Sequence, residues 1–489
     1  MAVRGEAEAG RGDPPARRSP APLGLLHPTG HPAEVRRLGT ADAGGLGGHA
    51  GSPGSEPIDV LLLAPTPSEH RSSEWLELAS QLASRLEPDG LVVVVGGARR
   101  LRARLRGLGL RRDADLLHVP NVAVSRYVLP RGGAVGRYAI SRLLPLSPAK
   151  RIAGRALALT RVAFRGRTST VYRRPGARPM LSWLADAVPS AAVGDRLPAV
   201  VGSSWRRGGS TVIHTFSAGV PEGVVKLGAA APGEARALTS VAAGARTDAV
   251  AVPVVVREGE LSGVPLLVET PIAGTLAWSE LRGKPRLAAE LLDLIARWLS
   301  AWNATTMTAR SFGPEEAERW LLGRARSLAP LWTGGPRYLA WLERACESCA
   351  GASLPLVAAH NDLTAANIVL TGSETIGIVD WERAEPAASP LADLAYAAVD
   401  FTAAVSGYRD RPAAYSSCFL DGGREAEQTR RLLREATAAL ALSQPLAEVC
   451  LHSCWLRHAA NEAEHLAGEP EAERPFLRIL EVAAREVSA

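Results

Sequence analysis

The feature that most constrains this chain is a pair of polar motifs joined by two short apolar runs. His360-Asn-Asp-Leu-Thr-Ala-Ala-Asn367 leads into Ile368-Val-Leu370, a turn Thr371-Gly-Ser-Glu-Thr375, the run Ile376-Gly-Ile-Val379 and then Asp380-Trp-Glu382. Apolar runs on either side of a Gly/Ser/Thr turn predict a hairpin. Such a hairpin returns Asp380 to the side of Asn367. Asp362 and Asn367 lie on one loop, so Asp362 can face one partner while the amide oxygen of Asn367 faces another. Phosphoryl transfer to a hydroxyl asks for this division of labour. One oriented carboxylate takes the hydroxyl proton, and separate hard oxygens hold Mg²⁺ against the charge of the triphosphate.

These residues resemble the aminoglycoside phosphotransferase and choline kinase group, relatives of the protein kinases. The H-x-D-x-x-x-x-N pattern falls on His360, Asp362 and Asn367, and D-[WF]-E falls on Asp380, Trp381 and Glu382. Pro390-Leu-Ala-Asp-Leu-Ala395 is similar to the segment that follows in that family, and Asn361 stands where the common form has Gly. The resemblance implies an α+β bilobal protein-kinase-like domain, ATP and Mg²⁺ as cofactors, and a small-molecule hydroxyl substrate of the sugar, aminoglycoside or amino-alcohol class. It implies Asp362 as catalytic base, Asn367 and Asp380 as metal ligands, and His360 as a support for the loop.

The same resemblance asks for a lysine on an upstream strand and a glutamate on the next helix. Lys226 is the one charge in the apolar Val224-Val-Lys-Leu227, and Glu234 opens the helix-like Gly233-Glu-Ala-Arg-Ala-Leu238. A buried lysine needs a partner, so an ion pair between the two is expected. Gly208 and Gly209, in Ser203-Ser-Trp-Arg-Arg-Gly-Gly-Ser210, are the candidates for a phosphate-covering turn, where backbone N–H groups can meet phosphate oxygens. Pro265 to Gly274 is similar to the family's hinge strand, and the backbone of Glu269, Thr270 and Ile272 is expected to bind the adenine edge.

Residues 1–56 are rich in Gly, Ala, Pro and Arg and poor in large apolar residues, and are read as a disordered tail. From Ile58 the pattern changes to a strand (Ile58 to Ala64), a helix (Glu74 to Leu86), a turn at Glu87-Pro-Asp-Gly90 and a second strand (Leu91 to Val95). This order predicts a parallel βαβ unit within an α/β domain spanning 57–195. Over roughly 57–130 it resembles the later half of a class I methyltransferase. No G-x-G-x-x-G follows an earlier strand, however, and Gly96-Gly97 comes after the second one, so a degenerate, non-catalytic domain is expected. Residues 196–275 read as a kinase-like N-lobe of short strands. Residues 276–489 read as a helical C-lobe whose clearest helix runs from Arg286 to Asn303. Two other readings share the sequence: a catalytically silent binding module of pseudokinase type, and a methyltransferase with an accessory kinase-like half.

Composition narrows the rest. The net charge is +6, but from Trp381 onward there is no Lys and acids outnumber bases, so no nucleic-acid partner is expected. No apolar run approaches the ~20 residues that span a bilayer, and the N-terminus lacks a secretory apolar stretch, which points to no membrane partner and a cytoplasmic location. The five cysteines, with Cys346 and Cys349 as C-x-x-C, read as buried thiols rather than a zinc site, which needs four converging ligands. Glu462, Glu464, Glu471 and Glu473 on the last helices form either an acidic wall for a cationic acceptor or a solvated helix face. Nothing in the sequence sets the oligomeric state.

Overall fold

The structure is a computed structural model that describes residues 35–38, 57–66, 68–96, 99–119, 127–131, 133–144, 152, 167–188, 199–203, 211–217, 219–466 and 473–488. Two compact units emerge, Met1–Arg131 with Arg161–Ser203, and Gly132–Thr160 with Ser204–Ala489. The division expected at 195 is therefore an interleaving. The segment 133–144 joins the second unit because its side chains find partners there. Tyr138 meets Phe216 edge-to-face at 5.5 Å, and Arg142 donates to the Thr275 hydroxyl.

The first unit is a sheet of β1 (Val35–Leu38), β2 (Ile58–Leu63), β3 (Leu86–Val95), β4 (Arg111–Val119), β5 (Tyr127–Pro130), β6 (Thr168–Arg173) and β7 (Ala199–Ser203), in the order β1-β2-β3-β6-β4-β5-β7. The first three strands are parallel and the others antiparallel. Val60 to Leu63 and Leu91 to Val94 are buried at every position, the continuous apolar pattern of strands covered on both faces. Helix α1 (Ser73–Ser84), capped by Ser72 on Trp75 N–H, and helix α2 (Arg99–Gly107) pack Trp75, Leu76, Leu101 and Leu105 against Leu61, Leu63, Val92 and Val94. Glu87-Pro-Asp-Gly90 is not a separate turn. It lies within β3, where the pairing steps from Ile58↔Leu86 to Val60↔Leu91, so the turn-forming residues bulge out of an otherwise continuous strand.

The second unit has the two-part plan of a kinase-like fold. Its N-terminal part is an antiparallel sheet of β8 (Thr211–Ser217), β9 (Val220–Leu227), β11 (Val255–Leu261) and β12 (Val264–Glu269), ordered β8-β9-β12-β11, with α3 (Ala231–Ser240) packed on it. A second sheet, β10-β17-β16-β13, joins β10 (Val250–Ala251) and β13 (Thr275–Leu276) to the hairpin β16 (Ile368–Leu370) and β17 (Ile376–Ile378). A third combines β14 (Thr308–Ser311), β15 (Ser353–Ala359) and β18 (Glu385–Ala388). Around them pack α4 (Pro285–Thr306), α5 (Ala392–Ser406), α6 (Gln444–His465) and α7 (Pro475–Ser488). Pro285 opens α4, where its missing N–H is not needed, and Leu291, Ile295, Trp298 and Trp302 form its buried stripe. The core is continuous from this stripe through Trp381 to α5, with Trp302 and Trp381 edge-to-face at 5.6 Å. All five cysteines are buried and free. Among the described residues no helix is long and apolar enough to cross a membrane.

Candidate active site

Lys226 lies on β9 opposite Leu267 of β12, and strand alternation turns its side chain into the unit. Its ammonium is 2.5 Å from Glu234 Oε1 in the first turn of α3, 3.3 Å from Glu269 Oε1 and 4.0 Å from Asp380 Oδ1. Burial opposes the charge on Lys226, yet Glu269, Glu234 and Asp380 outweigh it and hold the group well above the usual lysine range. Glu234 also accepts the Trp381 N–H at 2.9 Å, so one carboxylate ties the lysine to the Asp380-Trp381 segment of the far motif. Burial raises the pKa of Glu234 above the usual carboxylate range, and it pushes that of Glu269 up to about 7.

The hinge expectation concerns backbone groups, and the structure revises it at the Thr270 amide. The Glu269 side chain is 2% exposed and faces Lys226, with Oε2 buried and unpaired. The Thr270 N–H donates to Val254 O and the Thr270 hydroxyl accepts from Val254 N–H, each at 2.9 Å, so that amide is not free for a base edge. The Ile272 side chain rests on Gly377 of β17, where any Cβ would collide with it, and a Cβ on Gly274 would collide with Leu370 O. Together with the β13–β16 ladder, these close approaches seat the hinge segment directly on the hairpin. Gly208 and Gly209 lie outside the described residues.

The catalytic-loop motif is held from beneath. The two oxygens of Asp393 accept the backbone N–H groups of His360 and Asn361 at 2.7 and 2.8 Å. Asp400, two turns further along α5, accepts the Ala365 N–H at 2.8 Å and the Tyr408 hydroxyl at 2.8 Å and is neutralised by Arg411 at 3.0 Å. His360 is buried, bonds the Val379 carbonyl at 3.1 Å and packs on Trp381, joining the two motifs without facing solvent. Asn361 has φ of 63°, a left-handed conformation that Asn tolerates better than most side chains. Its amide donates to Arg383 O at 2.9 Å, which explains how this chain dispenses with the Gly of the common pattern.

Asn367 Nδ2 donates to Asp362 O at 2.9 Å and to Asp362 Oδ2 at 3.1 Å, fixing the aspartate and leaving the Asn367 amide oxygen for another partner. Burial and the nearby Asp380 raise Asp362 above the ordinary carboxylate range, which strengthens it as a proton acceptor. Asp380 sits at φ 67° with its side chain 41% exposed, at the end of β17. The hairpin therefore brings Asp362, Asn367 and Asp380 together with Lys226 and Glu234. Sequence reasoning missed the roles of Asp393 and Asp400. Their signal was available: two acids a double turn apart in the otherwise apolar Ala392–Val405 run.

The donor set suits magnesium, which takes one or two protein oxygens and completes its shell with phosphate and water. One ammonium faces three carboxylates here, an excess of negative charge that disfavours a bare triphosphate and favours one accompanied by a divalent cation.

The sequence model described as the phosphotransferase enzyme family matches residues 221–427. No curated protein matches the chain significantly. Among solved structures, the apo form of a thermostable mutant of aminoglycoside phosphotransferase APH(4)-Ia is similar at 15% identity and a TM-score of 0.41, over 62% of this chain and 98% of that one. Aminoglycoside phosphotransferase APH(3'')-Id from Streptomyces rimosus is similar at 16% identity and a TM-score of 0.33, over 56% and 95%. A putative fructosamine-3-kinase from Haemophilus somnus is similar at 11% identity and a TM-score of 0.35, over 59% and 90%. These structural likenesses are loose, and the methyltransferase resemblance of the first unit gains no support from any of them. Over residues 221–427, which hold Lys226, Glu234 and the motifs from His360 to Glu382, the chain is similar to the phosphotransferase enzyme family, in keeping with a small-molecule kinase.

Proposed function

We propose that the protein transfers the γ-phosphoryl group of ATP, as its magnesium complex, to a hydroxyl of a small molecule. The observation that carries this reading is the convergence of Asp362, fixed by Asn367, with Asp380, which lies 4.0 Å from a lysine clamped by Glu234. Asp362 orients the attacking hydroxyl and takes its proton as the bond to phosphorus forms. Asn367 and Asp380 would hold the metal, whose charge offsets that developing on the transferred group. Lys226 contacts the phosphates, and Glu234 keeps it aimed. His360, Asp393 and Asp400 act only through the loop backbone.

The test is thermal unfolding with and without Mg-ATP, in the wild type and in Asp380→Ala. At a ligand concentration of ~100 Kd the expected gain is about 2.7 kcal/mol of stability, dependent on magnesium and lost in the variant. A folded wild type that Mg-ATP does not stabilise would sink the proposal.

A further inference from the structure

Beside the catalytic loop lies a group of arginines that phosphate transfer from ATP does not use. Glu385 of β18 pairs in register with Ala359, the residue before His360. Its carboxylate bridges Arg457 of α6 at 3.2 Å and Arg319 at 3.3 Å. Arg383, two residues earlier, gives its carbonyl to the Asn361 amide, and its guanidinium approaches a carboxylate only at 3.9 Å, that of Glu382. Arg324 donates to the Trp320 carbonyl at 3.1 Å and, among the described residues, has no carboxylate within ion-pair distance. Four guanidinium groups thus share two carboxylates, with Arg383 and Arg319 reachable from solvent at 26% and 59% side-chain exposure.

The consequences register on neighbouring groups. Burial and the adjacent Arg457 pull Arg324 down to about 10. His458 of α6, stacked on Tyr396 at 3.7 Å, is driven well below the usual imidazole range by burial and by Arg457, Arg411, Arg383 and Arg324. Arg383 is also among the charges that act on Asp362. Among the described residues no acidic wall balances them. Glu462 accepts the N–H groups of Phe476 and Leu477, both at 3.0 Å, and so caps α7, while Glu464 and Glu473 are exposed and Glu471 lies outside the described residues.

We propose that Arg383 and Arg324, with Arg457 behind them and Arg319 at the solvent edge, recognise an anionic group on the acceptor, which is then a hydroxyl compound bearing a carboxylate or a phosphate rather than a polycationic amino sugar. Guanidinium groups with spare donors meet such anions through paired hydrogen bonds, and the same surplus charge repels an ammonium-rich ligand. This assignment rests on the phosphotransfer reading for the identity of the ligand as acceptor, but the anion site can be tested apart from it.

The probe is inorganic phosphate, added to full-length protein already saturated with magnesium and the ATP analogue AMP-PNP, so that the nucleotide phosphates are in place. Saturable thermal stabilisation is expected, beyond that given by sodium chloride at equal ionic strength. Loss of charge-assisted bonds in Arg324→Gln/Arg383→Gln should weaken the phosphate midpoint about tenfold or more. Arg324→Lys/Arg383→Lys, which keeps the charge, should recover much of it. The proposal fails if phosphate gives the wild type no saturable shift, if the Gln variant responds as the wild type does, or if spermidine stabilises in place of phosphate. If AMP-PNP leaves the wild type unshifted while the phosphate response depends on the arginines, the nucleotide reading falls and the anion site stands.

Discussion

Two pairs of aspartates surround the catalytic loop, and their settings differ. Asp393 and Asp400 are 6% and 1% exposed, and each oxygen has a defined donor: backbone N–H groups for Asp393, and backbone, arginine and tyrosine for Asp400. Asp362 and Asp380 reach solvent, and their partners, an asparagine amide and a distant lysine, leave oxygens uncommitted. Acids whose hydrogen-bonding capacity is used up serve the fold. Acids left with capacity at a solvent-facing edge are the ones available to substrate and metal.

Substitution can break this distinction. The largest effect is expected for Asp362→Asn, which should lower turnover by about 10²–10⁴-fold, the usual contribution of a positioned base, with unfolding unchanged within error. Turnover near that of the wild type would move Asp362 into the structural pair. Asp400→Ala leaves the largely buried Arg411 without its counter-charge, and removal of one member of such a pair typically destabilises by about 3–5 kcal/mol. Chemical denaturation reads that loss directly, and a drop under about 1 kcal/mol would show the pair to be screened by solvent.

Smaller changes sharpen the comparison. Asn361→Ala should destabilise by about 1–2 kcal/mol, because Ala resists the left-handed conformation and cannot reach Arg383 O. Asn361→Gly should be milder, since it loses the hydrogen bond but relieves the backbone. Equal losses in the two variants would place the whole effect in the hydrogen bond. The finest effect concerns Glu269. Its folded value near 7 lies above the ordinary glutamate value of 4.5, so the folded protein holds a proton that the unfolded chain releases. Stability from this group is therefore present at low pH and declines as pH rises between those two values. Melting temperatures of Glu269→Gln between pH 5 and 8 should show a flatter profile than the wild type.

Much of this was legible in the sequence where one segment carries all of a feature. The hairpin follows from apolar runs around Thr371–Thr375, and the parallel β2–α1–β3 unit from Ile58 to Val95. The Lys226–Glu234 contact was legible because a lone charge in an apolar strand must find a partner. What the sequence concealed depends on side chains from distant segments meeting. The sequence points to the backbone of Glu269, while the placement of its side chain beside Lys226 depends on the register of β9 against β12. Tyr138 and Arg142 lie in a stretch without periodicity, and their placement depends on Phe216 and Thr275, remote in the chain. The arginine cluster draws Arg319, Arg383 and Arg457 from three separate segments.

The seating of Ile272 on Gly377 sets a length. The segment proposed to bind the base and the strand that leads to Asp380 touch where a side chain is missing. Under the proposed function, the spacing between the adenine edge and the metal would be set by the Ile272 side chain lodged against the bare backbone of Gly377. A single added methyl group at Gly377 would lengthen that ruler, misplacing the reacting phosphate while every catalytic residue kept its identity.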